Sequence, residues 1–202
     1  MNAQSNKWDQ RYGESEFAYG TTANDFLKAS VHRLSPAGDV LCLAEGEGRN
    51  SVFLAQQGFN VTAVDSSSVG LKKAETLAAE RGASITTCVA DLVNYKIAAG
   101  RYDAIISIFC HLPQPLRTEV HKKVLNGLKC GGIFVLEGYT PRQLQYKTGG
   151  PPVAELLMEL DELKAELGSL DLVHATETER EVHEGFLHTG LGSVVQIIGI
   201  KN

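Results

Sequence analysis

The sequence has no apolar run of the ~18–20 residues that a membrane span requires, and none of its four cysteines stands in a CxxC pair. Three of Cys42, Cys88, Cys110 and Cys130 lie in or beside apolar runs. They read as reduced, mostly buried thiols, which excludes a disulfide framework and a zinc site; no metal is expected. Basic residues are the minority: 19 Lys and Arg against 24 Asp and Glu give a net charge of −5. That weighs against a partner held by phosphate neutralisation, and the cluster Lys122, Lys123 and Lys129 is too small for a nucleic-acid footprint. The opening MNAQSNKWDQRYGE lacks the apolar core of a signal peptide. A cytoplasmic protein with neither a membrane nor a nucleic-acid partner is expected. Nothing in the sequence specifies an oligomeric state. Internal repeats and low-complexity segments are absent too, so the 202 residues are read as a single domain, 1–202.

What is present is an alternation. Val40–Ala44 is a short apolar run, the mark of a strand buried on both faces, and Asn50–Gln57 reads as a helix stopped by Gly58. The unit repeats with a strand at Val61–Val64 and a helix from about Val69 to Arg81. Further strands are expected at Ile85–Val89, Tyr102–Phe109 and Ile133–Leu136. Leu116, Val120, Val124 and Leu128 form a helical stripe that closes at Gly131-Gly132. Before the first strand, a helix is expected to start near Thr22 or Asn24. Strands alternating with helices at this spacing specify a parallel sheet with right-handed crossovers.

The last third departs from that pattern. Thr140–Pro152 reads as a loop, and a helix then carries Val153, Leu156, Leu157, Leu160, Leu163 and Leu167 on one face. Two strand-like runs, roughly Leu170–Val182 and Ser193–Ile200, follow. The Glu184–Gly192 linker is too short for a parallel crossover, so these strands should pair as an antiparallel hairpin. The expected architecture is α/β, mostly parallel, with one reversed strand at the edge.

Three strand ends carry chemistry. After the first strand come Glu45-Gly46-Glu47-Gly48-Arg49-Asn50, opening into a helix. This loop lies where open α/β sheets bind ligands, its glycines let backbone approach closely, and the helix start offers free N–H groups. Asp65 ends the second strand, 19 residues after Gly46, where an acid accepts hydrogen bonds from ribose hydroxyls. The competing role is a helix cap, but Ser66, Ser67 and Ser68 already supply caps. At the third strand end, Asp91 can accept from an adenine amino group while Leu92 packs on the ring.

The run from Val40 to Asp65 resembles the class I S-adenosylmethionine-dependent methyltransferases, most of all the branch with the tellurite-resistance and thiopurine-methyltransferase-like proteins. The resemblance extends to Trp8-Asp9-Gln10-Arg11-Tyr12, Tyr19-Gly20, Asn24–Leu27, Asp91, Phe109–Pro113, Gly131-Gly132 and Glu137–Pro141. It implies a three-layer Rossmann-like, seven-stranded sheet with an antiparallel last strand. It also implies S-adenosyl-L-methionine as cofactor, held by Trp8, Tyr19, Glu45, Gly46, Gly48, Arg49, Asn50, Asp65, Ser66, Asp91, Leu92 and Phe109. The family's loop reads acidic-x-Gly-x-Gly-x-Gly, whereas here Cys42 holds the acidic position and Ala44 the first glycine. Either Glu45 or backbone carbonyls then hold the methionine ammonium.

The implied reaction is in-line methyl transfer to a small-molecule acceptor, for which tellurite, thiols, halides and small amines are all compatible. A base is needed only for an acceptor that is protonated at working pH. His111, at the mouth of the fourth strand, is the best-placed base. Tyr139 is grouped with it as catalytic, and Tyr12, Tyr19, Phe109 and Tyr139 could offer aromatic faces to the sulfonium. His174, His183 and His188 lie far from these loops in sequence and are expected to be solvated. The aromatics of the first 30 residues are too many for an idle tail and suggest a lid over the site. Two rivals stand beside this reading. One is a cofactor-binding regulator without transfer activity. The other is a nicotinamide-dependent oxidoreductase, weakened by the missing third glycine of GxGxxG.

Overall fold

The apolar runs become strands, those at Asp39–Leu43 and Tyr102–Ile108 buried on both faces and that at Thr86–Val89, on the sheet edge, largely exposed. The structure, a computed structural model, describes residues 3–202 and their side chains from Lys7 onward; residues 1 and 2 of the expected lid lie outside the described residues. β1 (Asp39–Leu43), β2 (Asn60–Asp65), β3 (Thr86–Val89), β4 (Tyr102–Ile108) and β5 (Leu128–Tyr139) are joined in parallel. The helices α3 (Arg49–Gln56), α4 (Ser68–Glu80) and α5 (Gln114–Gly127) connect or flank them. β6 (Leu170–Glu184) and β7 (His188–Lys201) complete a seven-stranded sheet of order β3-β2-β1-β4-β5-β7-β6.

β7 is antiparallel to both neighbours, as expected for the last strand. It lies between β5 and β6, however, so the reversed strand stands one place in from the edge. The turn of the hairpin is also tighter than the sequence suggested. Pairing continues to Glu184–His188, leaving Gly185, Phe186 and Leu187 to reverse the chain. Gly185 takes φ +68, which a side-chain-free residue adopts without cost.

Apolar clusters fill both faces of the sheet. Leu41, Leu43, Ile105, Phe134, Leu136 and Ile197 pack toward one face, and Val40, Cys42, Ala104, Ile106, Val135 and Ile198 toward the other. The alternation is the period-2 geometry of strands. The cysteines are free: Cys42 and Cys110 are buried, Cys88 is intermediate and Cys130 is exposed.

Two helical expectations change. α5 stops at Gly127 rather than at Gly131-Gly132, and Leu128 already belongs to β5. The single helix expected from Val153 to Leu167 is broken. A short 3-10 turn at Ala154–Leu156 is followed by extended residues, and α6 (Leu160–Glu166) begins only after them. The break has a cause in long-range partners. Met158 N–H donates to the Tyr139 carbonyl at 2.9 Å, and Arg117 Nη1 donates to the Leu157 carbonyl at 3.3 Å. Both backbone groups are therefore diverted from a continuous helix.

Before β1 run α1 (Ala3–Tyr12) and α2 (Asp25–Ser30), the second capped by Asn24, whose Oδ1 accepts from Leu27 N–H at 2.9 Å. α1 packs on α4. Tyr12 is buried between two glycines: a Cβ at Gly46 would lie 2.7 Å from its Oη, and one at Gly70 would lie 2.7 Å from its ring. Asp9 Oδ1 accepts from Ser67 Oγ at 2.6 Å. Lys73 Nζ donates to the carbonyls of Tyr12, the last residue of α1, and of Glu14 and Glu16 in the segment that follows, tying both to α4. Among the described residues, no helix is long and apolar enough to cross a membrane.

Candidate functional site

The C-terminal ends of β1, β2, β3 and β4 open into one cavity of about 580 Å³, a size within the usual range for small-molecule sites. Trp8, Arg11, Tyr12 and Tyr19 from the N-terminal segment close one side. Glu45, Arg49, Asn50, Asp65, Ser66, Asp91 and Leu92 form the strand-end wall. Phe109, His111, Leu112, Leu116, Pro151, Pro152, Leu156, Leu187 and His188 also line it, and Lys7 and Glu47 are among the other wall residues. Sequence reasoning and structure therefore meet at most positions, with three exceptions. Gly46, Gly48 and Tyr139 are not on the cavity wall.

The two glycines serve packing. Gly48 takes φ +91 at the start of α3, and a Cβ there would lie 2.5 Å from the Ala74 Cβ of α4. Gly46 makes room for Tyr12 rather than for a ligand. Ala44, where the resembling family carries glycine, has φ +49, a conformation that favours glycine. Cys42 is fully buried in the core and does not reach the cavity.

Glu45 does reach it. Its Oε1 accepts from Asn50 N–H at 3.0 Å and from Ser51 N–H at 2.6 Å, capping α3. Burial pushes its carboxyl up to about 7, against the lowering effect of the Ser51 hydrogen bonds and of Arg49. Asp65 is less free than its neighbouring serines implied. Its Oδ2 accepts from Gly46 N–H and its Oδ1 from Ser67 N–H, both at 2.8 Å. Ser67 is indeed the cap of α4, accepting from Gly70 N–H at 3.0 Å. Burial raises Asp65 above the ordinary carboxylate range. The Ser66 backbone N–H also bonds to it, so three N–H groups leave the carboxylate one spare acceptor site for a ligand donor.

His111 donates from Nδ1 to the Leu156 carbonyl at 2.8 Å, because a carbonyl can only accept. Its Nε2 lone pair receives the Tyr139 N–H at 3.4 Å. Burial pushes its imidazole down to about 4, so it is neutral at pH 7 and has no idle lone pair. Tyr139 is fully buried, stacked 5.7 Å from His111 and 4.5 Å from Phe109. Phe109 sits at φ +52, a strained conformation for a bulky residue, directly after β4.

The residue that sequence reasoning missed is His188. It is buried in the wall, not solvated, with ring centroids 4.6 Å from Tyr19, 5.0 Å from Phe109 and 5.2 Å from Tyr139. Burial and then the Arg49 charge push it down to about 3. His183 is exposed and His174 half-buried. Arg11, Tyr12 and Glu47 also reach the wall. The Trp-Asp-Gln-Arg-Tyr run carried a signal for the first two.

Residues 40–132 match the family model of the methyltransferase domain. No curated protein sequence matches the chain. Among solved structures, one concerned with the conversion of a disulfide bond into a thioacetal group during echinomycin biosynthesis is similar, with TM-score 0.81 and 16% identity over 98% of this chain and 92% of the other. A SAM-dependent methyltransferase from Methanosarcina mazei has TM-score 0.72 and 17% identity over 89% and 98% of the two chains. TehB from Haemophilus influenzae has TM-score 0.70 and 19% identity over 98% and 67%. Identities this low speak to fold. The matched domain, on this fold, supports S-adenosylmethionine-dependent methyl transfer with S-adenosylmethionine as the cofactor.

Proposed function

We propose that the chain transfers the methyl group of S-adenosylmethionine to a small, apolar, soft acceptor such as a thiol. The observation that carries this is the group of apolar and aromatic residues that lines the cavity beside its charged ones. Phe109, His111, Leu112, Leu116, Pro151, Pro152, Leu156, Leu187 and His188 include no carboxylate, ammonium or guanidinium, and both histidines are held neutral. Arg49, whose charge bears on His188, is paired with Glu184 at 2.5 Å. An acceptor that must lose a proton to the enzyme finds only weak bases there: the His111 ring nitrogens are both engaged, and His188, unpartnered at Nδ1, is pushed down to about 3. One that ionises by itself needs only alignment and a dry site, where a thiolate sheds its hydration.

The polar group fits the cofactor. Asp65 accepts from a ribose hydroxyl, Asp91 and Leu92 take the adenine, and Glu45 faces the methionine ammonium. Arg49, Asn50 and Ser66 complete that wall. Trp8, Tyr19 and Phe109 supply faces that tolerate a sulfonium. The cofactor supplies an electrophilic methyl on sulfur, displaced in line. The N-terminal segment acts as the lid, with Tyr12 as its plug. A pure cofactor sensor would not need the second, apolar group. The tellurite-resistance-like assignment is one version of this reading, since a reduced telluride is also a soft nucleophile. Transfer of labelled methyl across a panel of thiols, amines and carboxylates tests the reading: thiols should become thioethers, and labelling of amines or carboxylates alone would overturn it.

A further inference from the structure

The strap between the lid and β1 meets the sheet through one side chain that uses every polar group it has. Asn24 is fully buried and does not line the cavity. Its Oδ1 caps α2. Its backbone N–H donates to Asn50 Oδ1 at 3.0 Å. Its Nδ2 donates twice, to Glu137 Oε2 at 2.5 Å and to Glu184 Oε1 at 2.7 Å.

Those two carboxylates belong to a buried set of charges. Glu137, on β5, also accepts from Arg180 Nε at 2.9 Å, from Arg180 Nη2 at 2.6 Å and from Gln196 Nε2 at 2.6 Å. Glu184, at the end of β6, accepts from Arg180 Nη2 at 3.3 Å and holds Arg49 Nη2 through its second oxygen. Two glutamates and two arginines cancel in charge, as a buried set must to avoid a large desolvation cost. Arg49 begins α3 and lines the cavity, although a cation at a helix N-terminus is disfavoured by the dipole. It needs Glu184 to stay there.

The same strap makes two more contacts beside Asn24. Ala18 N–H donates to Glu47 Oε2 at 2.8 Å. Gly185 in the hairpin turn accepts the strap so closely that a Cβ would lie 2.5 Å from the Ala18 carbonyl oxygen and from Gly20 N.

We infer that Asn24 is a positioning residue for methyl transfer. Its amide locks the N-terminal strap to β5 and the hairpin, and through Glu184 and Asn50 it sets two consecutive residues of the cofactor wall, Arg49 and Asn50. The inference rests on the cofactor reading of the cavity. It makes the strap, the glycine loop and the hairpin one coupled unit.

Asn24→Ser tests it. Serine keeps an oxygen that caps α2 but removes both Nδ2 bonds and adds no charge. Glu137 and Glu184 keep their arginine partners, so the core stays folded. Two readouts apply: calorimetric affinity for S-adenosylhomocysteine, and acrylamide quenching of Trp8, the only tryptophan in the chain and a cavity residue. Asn24→Ser should bind about tenfold more weakly, the scale of one or two lost buried hydrogen bonds, and Trp8 should become more quenchable. Asn24→Asp should be worse, since it sets a third carboxylate beside two. Adding Glu137→Gln to Asn24→Asp restores the charge balance and an amide–carboxylate pair while leaving Arg49 with Glu184, and should recover part of the affinity. Wild-type affinity and unchanged quenching in Asn24→Ser would overturn the inference, leaving the residue a helix cap. So would an Asn24→Asp, Glu137→Gln double variant with no recovery, should Asn24→Ser fail to fold. Failure of the wild type itself to bind S-adenosylhomocysteine would instead contradict the cofactor reading.

Discussion

The Glu45 carboxylate lies 2.6 Å from the backbone nitrogen of Ser51. A buried acid is thus stabilised by a helix N-terminus and still holds its proton up to about pH 7. A ligand ammonium favours the carboxylate form. Affinity for S-adenosylhomocysteine should therefore rise as pH goes from 6 to 8. In the free protein the sign is opposite. A carboxyl raised from 4.5 to about 7 binds more protons folded than unfolded, so its contribution to stability falls as pH rises through that window. Glu45→Gln keeps an acceptor for the Asn50 and Ser51 N–H groups. It should bind more weakly at pH 8 and flatten both profiles. Calorimetry at three pH values checks this; wild-type affinity at pH 8 would assign the ammonium to backbone carbonyls.

Asp65 carries two loads, the start of α4 and the proposed ribose contact. Asp65→Ala leaves the Gly46 and Ser67 N–H groups unpaired. It should lower the melting temperature and weaken cofactor binding by about 2–4 kcal/mol. Asp65→Asn retains one acceptor oxygen and should do less harm to both. Unchanged affinity in folded Asp65→Ala would reduce the residue to a turn-former.

The strand ends were legible because each followed a short apolar run bounded by turn residues, which favours a strand, although β3 is largely exposed. Asp65, Asp91 and Glu45 could be placed on one wall by topology alone. His188 could not. Its place depends on the hairpin turning within three residues, and a linker with glycines at 185, 190 and 192 gave no cue to where the pairing would stop. Gly46 and Gly48 matched a ligand-loop pattern, yet their neighbours are Tyr12 and Ala74, contacts between elements remote in sequence. The broken helix near Leu157 has the same origin. Its leucines keep helical spacing, but Arg117 and Tyr139 take its backbone groups.

Ala44 at φ +49 offers a stability test. Ala44→Gly removes a left-handed strain of about 1 kcal/mol and should raise the melting temperature by roughly 2–4 °C. A lower melting temperature would show that the alanine methyl packs usefully at the cavity edge.

The lid proposal separates from a purely stabilising strap by deletion of residues 1–19. A lid predicts transfer reduced by about 100-fold or more per folded molecule, the scale of lost alignment, with a smaller loss of cofactor affinity. Lys73 and the Gly46–Gly70 cleft lose their occupant, so the melting temperature falls as well. Wild-type turnover in the folded fraction would leave α1 a strap only.

The account's central claim is that the cavity aligns a self-ionising acceptor without lending it a base. The most direct measurement is the pH dependence of methyl transfer from labelled S-adenosylmethionine to a small apolar thiol, at saturating cofactor. With His111 and His188 neutral down to about 4 and about 3, neither histidine of the cavity wall changes charge between pH 6 and 9. The rate should climb tenfold per pH unit with the thiolate fraction and level off at the thiol's own pKa, shifting when a more acidic thiol is used. A plateau at the same pH for every thiol, abolished by His111→Gln or His188→Gln, would place a base in the site and contradict the account.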